Sequence, residues 1–387
     1  MTLTHCQVCE GTDLHLLYEM QSGLALTSLG ETYPASTRVW ACRDCSHLQT
    51  DEMEQVEQYY AEQYNILSGS EDEDQVYEVQ DGKPLYRTEH QLRVLLDTLP
   101  LPQAARVLDY GCAKSSTMQA LLKARGDLQV HLFDVSDNYR RFWARFLPDS
   151  RCATFEPDMQ WSDSFDLVTS FFALEHIVRP LDALQAIYRL VRPGGHFYCI
   201  VPNVETNIAD FIVVDHVNHF TELSLTHVLQ RSGFEVEVID SSSHRGAFIV
   251  LARRPLNTAP ENSPDTQRVA EQLQMLQRIA GFWQGAADRV QSFVAEQPQD
   301  RPLAVYGAGF YGSFITACLG GADKVSCFVD QNPFLQGRSF FGKPVVAPND
   351  LSPEIDTLLV GLNPAHAESI IADISAFQSR TLRCFYL

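Results

Sequence analysis

Four cysteines near the start of the chain form two pairs, Cys6-x-x-Cys9 and Cys42-x-x-Cys45, on knuckle-like turns "CQVCEG" and "CRDCSH". Four thiolates close a tetrahedral shell around zinc and leave no position for a reacting water, so the expected metal is a structural staple. So small a segment has too little core to fold alone, and metal binding supplies the missing stability. His5 and His47, beside the knuckles, are expected to be bystanders. Carboxylates at strand tips form a second group. Asp109 ends "RVLDYG" and runs into Gly111-Cys112-Ala113; Asp134 ends "LQVHLFDVS" one helix later. An acid at the tip of a second strand is placed to accept two hydrogen bonds from ribose hydroxyls. No phosphate-binding signature accompanies it. S-adenosylmethionine (SAM) carries no phosphate, and close backbone approach at Gly111 suits its methionine portion. A third group is the loop "LAVYGAGFYGSFI", where Gly307-x-Gly309-x-x-Gly312 follows a strand and opens a helix, with Asp330 ending the next strand 23 residues beyond Gly307. Such a loop favours a pyrophosphate at the helix N-terminus.

These residues need a scaffold that presents strand tips. The 387 residues suggest two or three domains, and 45% hydrophobic with 20% charged residues predicts packed cores. Residues 1–65 form the expected zinc-binding domain. Within 66–255, "RVLDY", "LQVHLFD", "FDLVTSF", "HFYCIVP", "FEVEVID" and "AFIVLAR" read as strands, most with helical segments between them. "PLYRTEHQLRVLLDTL" reads as an amphipathic helix. The acidic stretch 68–82 reads as a solvated connector or a lid. A linker and long helix follow in 256–300, with Ser263 as N-cap and Val269, Leu273, Leu276, Ile279, Trp283, Val290 and Phe293 at helical spacing. In 301–387, "LAVYG", "VSCFVD", "TLLVGL" and "TLRCFYL" read as parallel strands. The predicted fold class is α/β: two doubly wound Rossmann-like domains plus a small N-terminal zinc-binding domain.

A net charge of −20 without a Lys/Arg cluster argues against nucleic acid and anionic lipid as partners and leaves a small-molecule substrate. The start "MTLTHCQVCEGTD" has no apolar signal core, and no stretch approaches a membrane span of ~20 residues. A cytoplasmic protein is therefore expected, its ten cysteines present as thiols or metal ligands.

The order Asp109, Gly111, Asp134 resembles class I SAM-dependent methyltransferases. The resemblance continues through 165–203, where the fourth strand leads to Glu175-His176-Ile177 and "RPGG" precedes the fifth strand. It implies a cofactor site of Asp109, Gly111, Ala113, Asp134 and Phe171. Ala113 stands where the family has glycine in Gly-x-Gly, and alanine disfavours the positive φ such a loop uses.

Taken whole, a four-cysteine unit, a methyltransferase and a Rossmann-like tail resemble the sugar C-methyltransferases acting on nucleotide-linked keto-deoxysugars. The resemblance implies a nucleotide-linked ketosugar, deprotonated beside its ketone and methylated by SAM at carbon through an enolate. It places His176 toward the substrate. It matches "VVDHVNHFT" to a Tyr-x-Glu-His stretch, with Val213 in place of the tyrosine, Asp215 at the glutamate and His216 at the histidine. His219 is a candidate to replace the lost tyrosine's hydrogen bond. Tyr77 matches a tyrosine on a lid segment, and His244 a histidine–glycine turn. His216 and His219 beside Asp215 would also suit a cation, although methyl transfer to an enolate needs none.

Gly307, Gly309, Gly312, Phe310, Tyr311 and Asn332 would then hold the nucleotide-sugar diphosphate. An empty structural turn and an NAD site are the other readings of this loop. For the whole chain, the alternatives are a SAM-dependent O- or N-methyltransferase of another small metabolite, an NAD-dependent oxidoreductase, or a binding protein with a vestigial methyltransferase domain.

Overall fold

The computed structural model describes residues 3–20, 23–54, 56, 59, 73–80, 83–257, 264–298 and 301–387. Ser263 and parts of both expected linkers, 68–72, 81–82 and 258–263, lie outside the described residues. The chain divides into two compact units: Met1–Leu14, Ala41–Asn207 and Val217–Gln272 form one, and His15–Trp40, Ile208–His216 and Leu273–Leu387 the other. Residues 15–40, expected within the metal-binding segment, thus cluster with the second unit.

The first unit is built on a seven-stranded sheet. Its strands are β1 (Arg106–Tyr110), β2 (Gln129–Asp134), β3 (Cys152–Thr154), β4 (Phe165–Phe171), β5 (Val191–Pro202), β6 (Glu235–Asp240) and β7 (Ala247–Arg253), in the order β3-β2-β1-β4-β5-β7-β6. β1 to β5 pair in parallel, and β7 runs antiparallel between β5 and β6. Alternation along each strand feeds two cores. Leu108, Val168, Phe197, Cys199, Phe248 and Val250 belong to one, and Val107, Leu167, Tyr198, Ile200, Ile249 and Leu251 to the other. The first core also takes Leu184 and Ile187 of helix Pro180–Leu190, and Leu225, Val228 and Leu229 of helix Glu222–Arg231. Thr221 caps the latter helix reciprocally with Ser224, a device worth about 1 kcal/mol. The second core takes Val94 and Leu95 of helix Arg87–Thr98, and Met118 and Leu121 of helix Ser116–Ala124.

Three local expectations are corrected. Lys83–Tyr86 is a strand, paired antiparallel with Val76–Gln80, so the helix starts at Arg87 and part of the supposed connector is a hairpin. Pro84 removes an N–H and restricts Lys83 toward extended backbone, which favours the strand. The "RPGG" run lies inside β5, with a register shift opposite Phe165–Leu167. β3, unforeseen, is too short to carry a periodic pattern.

The second unit holds a six-stranded sheet: β8 (Leu303–Tyr306), β9 (Val325–Val329), β10 (Ser339–Phe340), β11 (Lys343–Val346), β12 (Thr357–Val360) and β13 (Arg383–Tyr386). Their order is β10-β11-β9-β8-β12-β13. All neighbouring pairs are parallel except the short hairpin β10–β11. Helix Phe310–Cys318 follows β8 and buries Phe314 against Trp283, with ring centroids 4.6 Å apart. Trp283 lies on the long helix Thr266–Ala295, where Val269, Leu276, Ile279 and Val290 are also buried. No helix among the described residues is long and apolar enough to cross a membrane.

His131, on β2, packs against Trp161 and Phe165 at 5.4 and 5.2 Å between centroids. Burial pushes its pKa from 6.5 down to about 4. A histidine depressed in this way costs nothing above pH 6.5; below it the unfolded chain binds the extra proton, and stability falls until about pH 4. His131→Gln should flatten the acid limb of the stability–pH curve in that window by up to about one proton, read from urea melts. An unchanged slope would show that His131 is not held neutral by the fold.

Candidate active site

Asp109 and Asp134 lie at the tips of neighbouring strands. Asp109 is 2% exposed and accepts from Ser115 Oγ at 2.7 Å and Thr169 Oγ1 at 2.9 Å. Burial raises its pKa to about 6, and the two hydroxyl donors pull the other way. Asp134 accepts from Ala113 N–H at 2.7 Å and Ser136 N–H at 3.1 Å, and burial again moves its pKa up. The loop between them is left-handed at Gly111 (φ 70°), Ala113 (φ 44°) and Ser115 (φ 58°). Alanine and serine each cost about 1–2 kcal/mol there, and the loop adopts the path all the same. Trp143 holds it by donating Nε1–H to Ala113 O at 2.7 Å, Asp134 holds the next donor, and Ser115 is tied to Asp109. Gly111 is required twice, for its φ and because a Cβ would stand 2.8 Å from that of Ala173.

Two more strained residues follow strand tips of the same sheet: Phe155 (φ 68°) after β3 and Phe172 (φ 52°) after β4. Strain of this kind collects at functional sites. Phe155 donates its N–H to Asp134 O, and its side chain and that of Val135 are both mostly exposed. This apolar pair flanks Asp134, and no sequence pattern announced it. Phe171 ends β4, half-buried, with its ring 5.9 Å from Tyr198.

Tyr77 and His244 come together. Their ring centroids are 5.0 Å apart, and Tyr77 stacks on His90 at 3.8 Å. Tyr77 Oη accepts the N–H of Arg245 at 2.8 Å. His90, absent from the sequence reading, donates Nε2–H to Ser243 O at 2.9 Å. His244 is buried and its pKa is pushed down to about 4 by burial, so the imidazole is neutral. Its Nδ1 lies 3.2 Å from Arg245 O, and its Nε2 has no hydrogen-bond partner among the described residues.

His176 closes the one-turn helix Leu174–His176. Asn218 staples that turn by donating Nδ2–H to Leu174 O at 3.2 Å and Ile177 O at 2.6 Å. Asn218 Oδ1 in turn lies 3.1 Å from His47 Nε2. His47, expected to be a bystander rather than a metal ligand, is not part of the cysteine cluster; it is buried and bonded to the residue that positions the His176 turn. His219, next along, pairs with Leu48 in a short strand and shares a 2.8 Å hydrogen bond between its Nε2 and Thr50 Oγ1.

The carboxylate expected beside His216 is a different one. His216 Nδ1 is 2.6 Å from Asp210 Oδ1, and both side chains are buried. Asp215 turns away to accept from Ser28 N–H at 2.7 Å and Ser28 Oγ at 2.6 Å. Its two oxygens are thus committed to the protein, which counts against the alternative of a cation held by Asp215, His216 and His219. Asp210 could not be read from the sequence, because the pairing needs the one-turn helix Asp210–Ile212 to fold back on residue 216.

In the second unit, Gly307, Gly312 and Gly361 pack backbone to backbone. A Cβ on Gly307 would strike Gly361 O, one on Gly312 would strike Gly307 O, and one on Gly361 would come within 2.7 Å of Gly312. Gly309 faces open space. Asp330 accepts from Ala308 N–H and Asn332 N–H, each at 2.8 Å. Asn332 is exposed and accepts from Phe334 N–H at 3.0 Å, a local turn. Phe310 is half-buried; Tyr311 stacks on Trp283 at 6.0 Å, and burial raises its pKa to about 12.

The sulfurs of Cys6, Cys9, Cys42 and Cys45 all lie within 4.8 Å of one another, with Cys6–Cys45 at 3.7 Å and Cys9–Cys42 at 3.4 Å. A tetrahedron with Zn–S of about 2.3 Å has edges of about 3.8 Å, so the donor set fits zinc. Glu10 and Ser46, each just past the second cysteine of a pair, are left-handed, and the N–H groups of Val8 and Gly11 point at Cys6 and Cys9 sulfur. Cys6, Cys42 and Cys45 belong to the same apolar core as Leu225 and Val228, and Arg231 donates to Val8 O at 2.7 Å.

Elemental analysis should find about one zinc per chain, and stripping it with a chelator should lower the melting temperature by about 10 °C, the effect of roughly 3 kcal/mol in a unit of this size. Full stability without metal would refute the staple. Gly312→Ala should destabilise the second unit by about 3 kcal/mol through overpacking, and Gly309→Ala by less than about 0.5 kcal/mol. Equal losses in urea melts would contradict the packing of the three glycines.

Residues 85–238 match the family described as a methyltransferase domain. Malonyl-acyl-carrier-protein O-methyltransferase from Marinomonas sp. (strain MWYL1) is 31% identical over 112 residues, 27% of this chain. The chain spans 41% of the length of that curated relative. Among solved structures, a SAM-dependent methyltransferase from Mesorhizobium loti gives a TM-score of 0.35 at 20% identity, over 43% of this chain and 97% of that one. The CurJ carbon methyltransferase gives 0.35 at 15% identity, over 41% of this chain and 51% of that one. Residues 85–238, which contain β1 to β5 and most of β6, are thus similar to a methyltransferase domain.

Proposed function

We propose that the protein is a SAM-dependent methyltransferase whose acceptor is a nucleotide-linked ketosugar, methylated at the carbon beside the ketone. The observation that carries the donor assignment is the strained loop Gly111–Ser115 hung on Asp109 and Asp134. When bound, SAM supplies a methyl group on a sulfonium whose departure leaves a neutral thioether. Asp134 would receive ribose hydroxyls on its remaining lone pairs, Gly111 would let the methionine portion approach, and Val135 and Phe155 would cover the adenine faces.

The acid/base pair in this reading is His216 with Asp210. A carboxylate on Nδ1 fixes the imidazole's tautomer and supports its positive charge, so proton exchange with the acceptor runs through Nε2. The base takes the proton beside the ketone. The resulting enolate forms the new carbon–carbon bond as the sulfur–methyl bond breaks, and the two opposite charges cancel. His176, His219, Tyr77 and His244 have supporting parts. Asn218 sets the His176 turn, His219 fixes the adjoining strand, and the neutral His244 offers a lone pair to a donor on the acceptor, with Tyr77 stacked beside it. In the second unit, Gly309 leaves room for a diphosphate at the start of helix Phe310–Cys318, and Asp330 and Asn332 lie at the tip of β9. The zinc role is structural.

Transfer to oxygen is the second reading, favoured by the similarity to an O-methyltransferase. Carbon and oxygen products differ in the NMR shift of the new methyl group, so one assay with a nucleotide-ketosugar and SAM separates them.

Titration calorimetry should show SAM and its demethylated product binding, NAD not binding, and Gly111→Ala weakening SAM at least about tenfold, since the added Cβ costs over 1.4 kcal/mol. His216→Asn should keep SAM affinity and lose about a hundredfold or more in turnover. Absence of SAM binding by the intact protein would end the methyl-transfer reading.

A further inference from the structure

The segment that carries His216 is held at both ends by one helix, through contacts that neither the donor loop nor the acid/base pair uses. At its start, Ile208 O accepts Nε1–H of Trp283 at 2.8 Å, and Trp283 packs on Phe314 and Tyr311 of helix Phe310–Cys318. At its end, both oxygens of Asp215, 1% exposed, clamp Ser28. Ser28 sits in a tight turn closed by Thr27 N–H to Glu31 O and Gly30 N–H to Thr27 O, each 2.9 Å, with Gly30 left-handed at φ 75°. Ser313, fully buried on that same helix, donates Oγ–H to Gly30 O at 2.6 Å. The strand before the turn is zipped to the segment as well: Leu26 pairs with Val213, and Val214 N–H donates to Leu26 O at 2.8 Å.

We propose that Asp215 is a positioning residue: it seats His216 on Asp210 by clamping Ser28, and Ser313 fixes the same turn to the helix that follows the glycine loop. This deepens the reading of His216 as the proton-transfer group and rests on it for its functional meaning. The physical ground is that a buried carboxylate accepting one N–H and one O–H makes charge-assisted bonds, stronger than neutral ones, one residue from the imidazole it locates. A shift of the turn moves residue 215 and turns the ring of 216 off Asp210.

The test reads the His216–Asp210 bond directly. The proton on His216 Nδ1 should give a far-downfield resonance in the intact protein, assigned by its loss in His216→Gln. In Ser28→Ala, Asp215→Asn and Ser313→Ala, exchange of that proton with water should quicken about fivefold, the net worth of one hydrogen bond. Ser28→Thr, which keeps both donors, should restore the wild-type rate. SAM affinity, measured in parallel, should stay at the wild-type value in every variant. An unchanged resonance in folded Ser28→Ala and Ser313→Ala overturns the proposal. Those two variants decide alone if Asp215→Asn fails to melt cooperatively. Because the resonance needs no turnover, a wild-type protein that binds no SAM would refute methyl transfer and leave this result standing.

Discussion

A carboxylate at the tip of the second strand, bonded to a backbone N–H in the loop after the first, occurs in both sheets. Asp134 takes the N–H of Ala113, and Asp330 that of Ala308. Each also takes the N–H two residues further along its own chain, at Ser136 and Asn332. The interaction closes the gap that opens when two parallel strands end side by side and their loops diverge. It uses one backbone donor of each loop, while Gly111 N–H and Cys112 N–H of the first go to Phe133 O and Gly307 N–H of the second goes to Val329 O. Most of what is proposed for either loop depends on it.

The two loops reach this arrangement by different means. In the second unit glycine stands at the three positions where backbone meets backbone, Gly307 and Gly312 of the loop and Gly361 after β12, and no side chain of the loop is strained. The methyltransferase loop has one glycine and accepts left-handed alanine and serine, compensated by Trp143, Asp134 and Ser115–Asp109. The surrounding contacts, each net worth about 1 kcal/mol, are enough to hold a conformation the local sequence disfavours.

Sequence reading reached the sheet residues and missed the cross-links. β1, β2, β4 and β5 were legible because buried parallel strands read as apolar runs. The cysteine pairs were legible through their spacing, and their sulfurs do cluster. Partners distant along the chain were not. Ser28 lies 187 residues from the carboxylate it binds, and His47 lies 171 from Asn218. Nothing in "VVDHVNHFT" says that the neighbouring Asp215 faces elsewhere while Asp210 supplies the imidazole's partner. The hairpin 76–86 was hidden because an amphipathic helix pattern runs up to it and its own strands are short.

The knuckle cysteines share a hydrophobic cluster with Phe220, Leu225, Val228 and Leu229, and Arg231 reaches back to Val8. The knuckle residues are therefore one wall of the core under the seven-stranded sheet. Cutting the chain after them would strip several large side chains of their neighbours and leave a greasy face on the fragment. A trimmed version would aggregate before it could be assayed, and transplanting the sheet into another protein would require carrying this wall along.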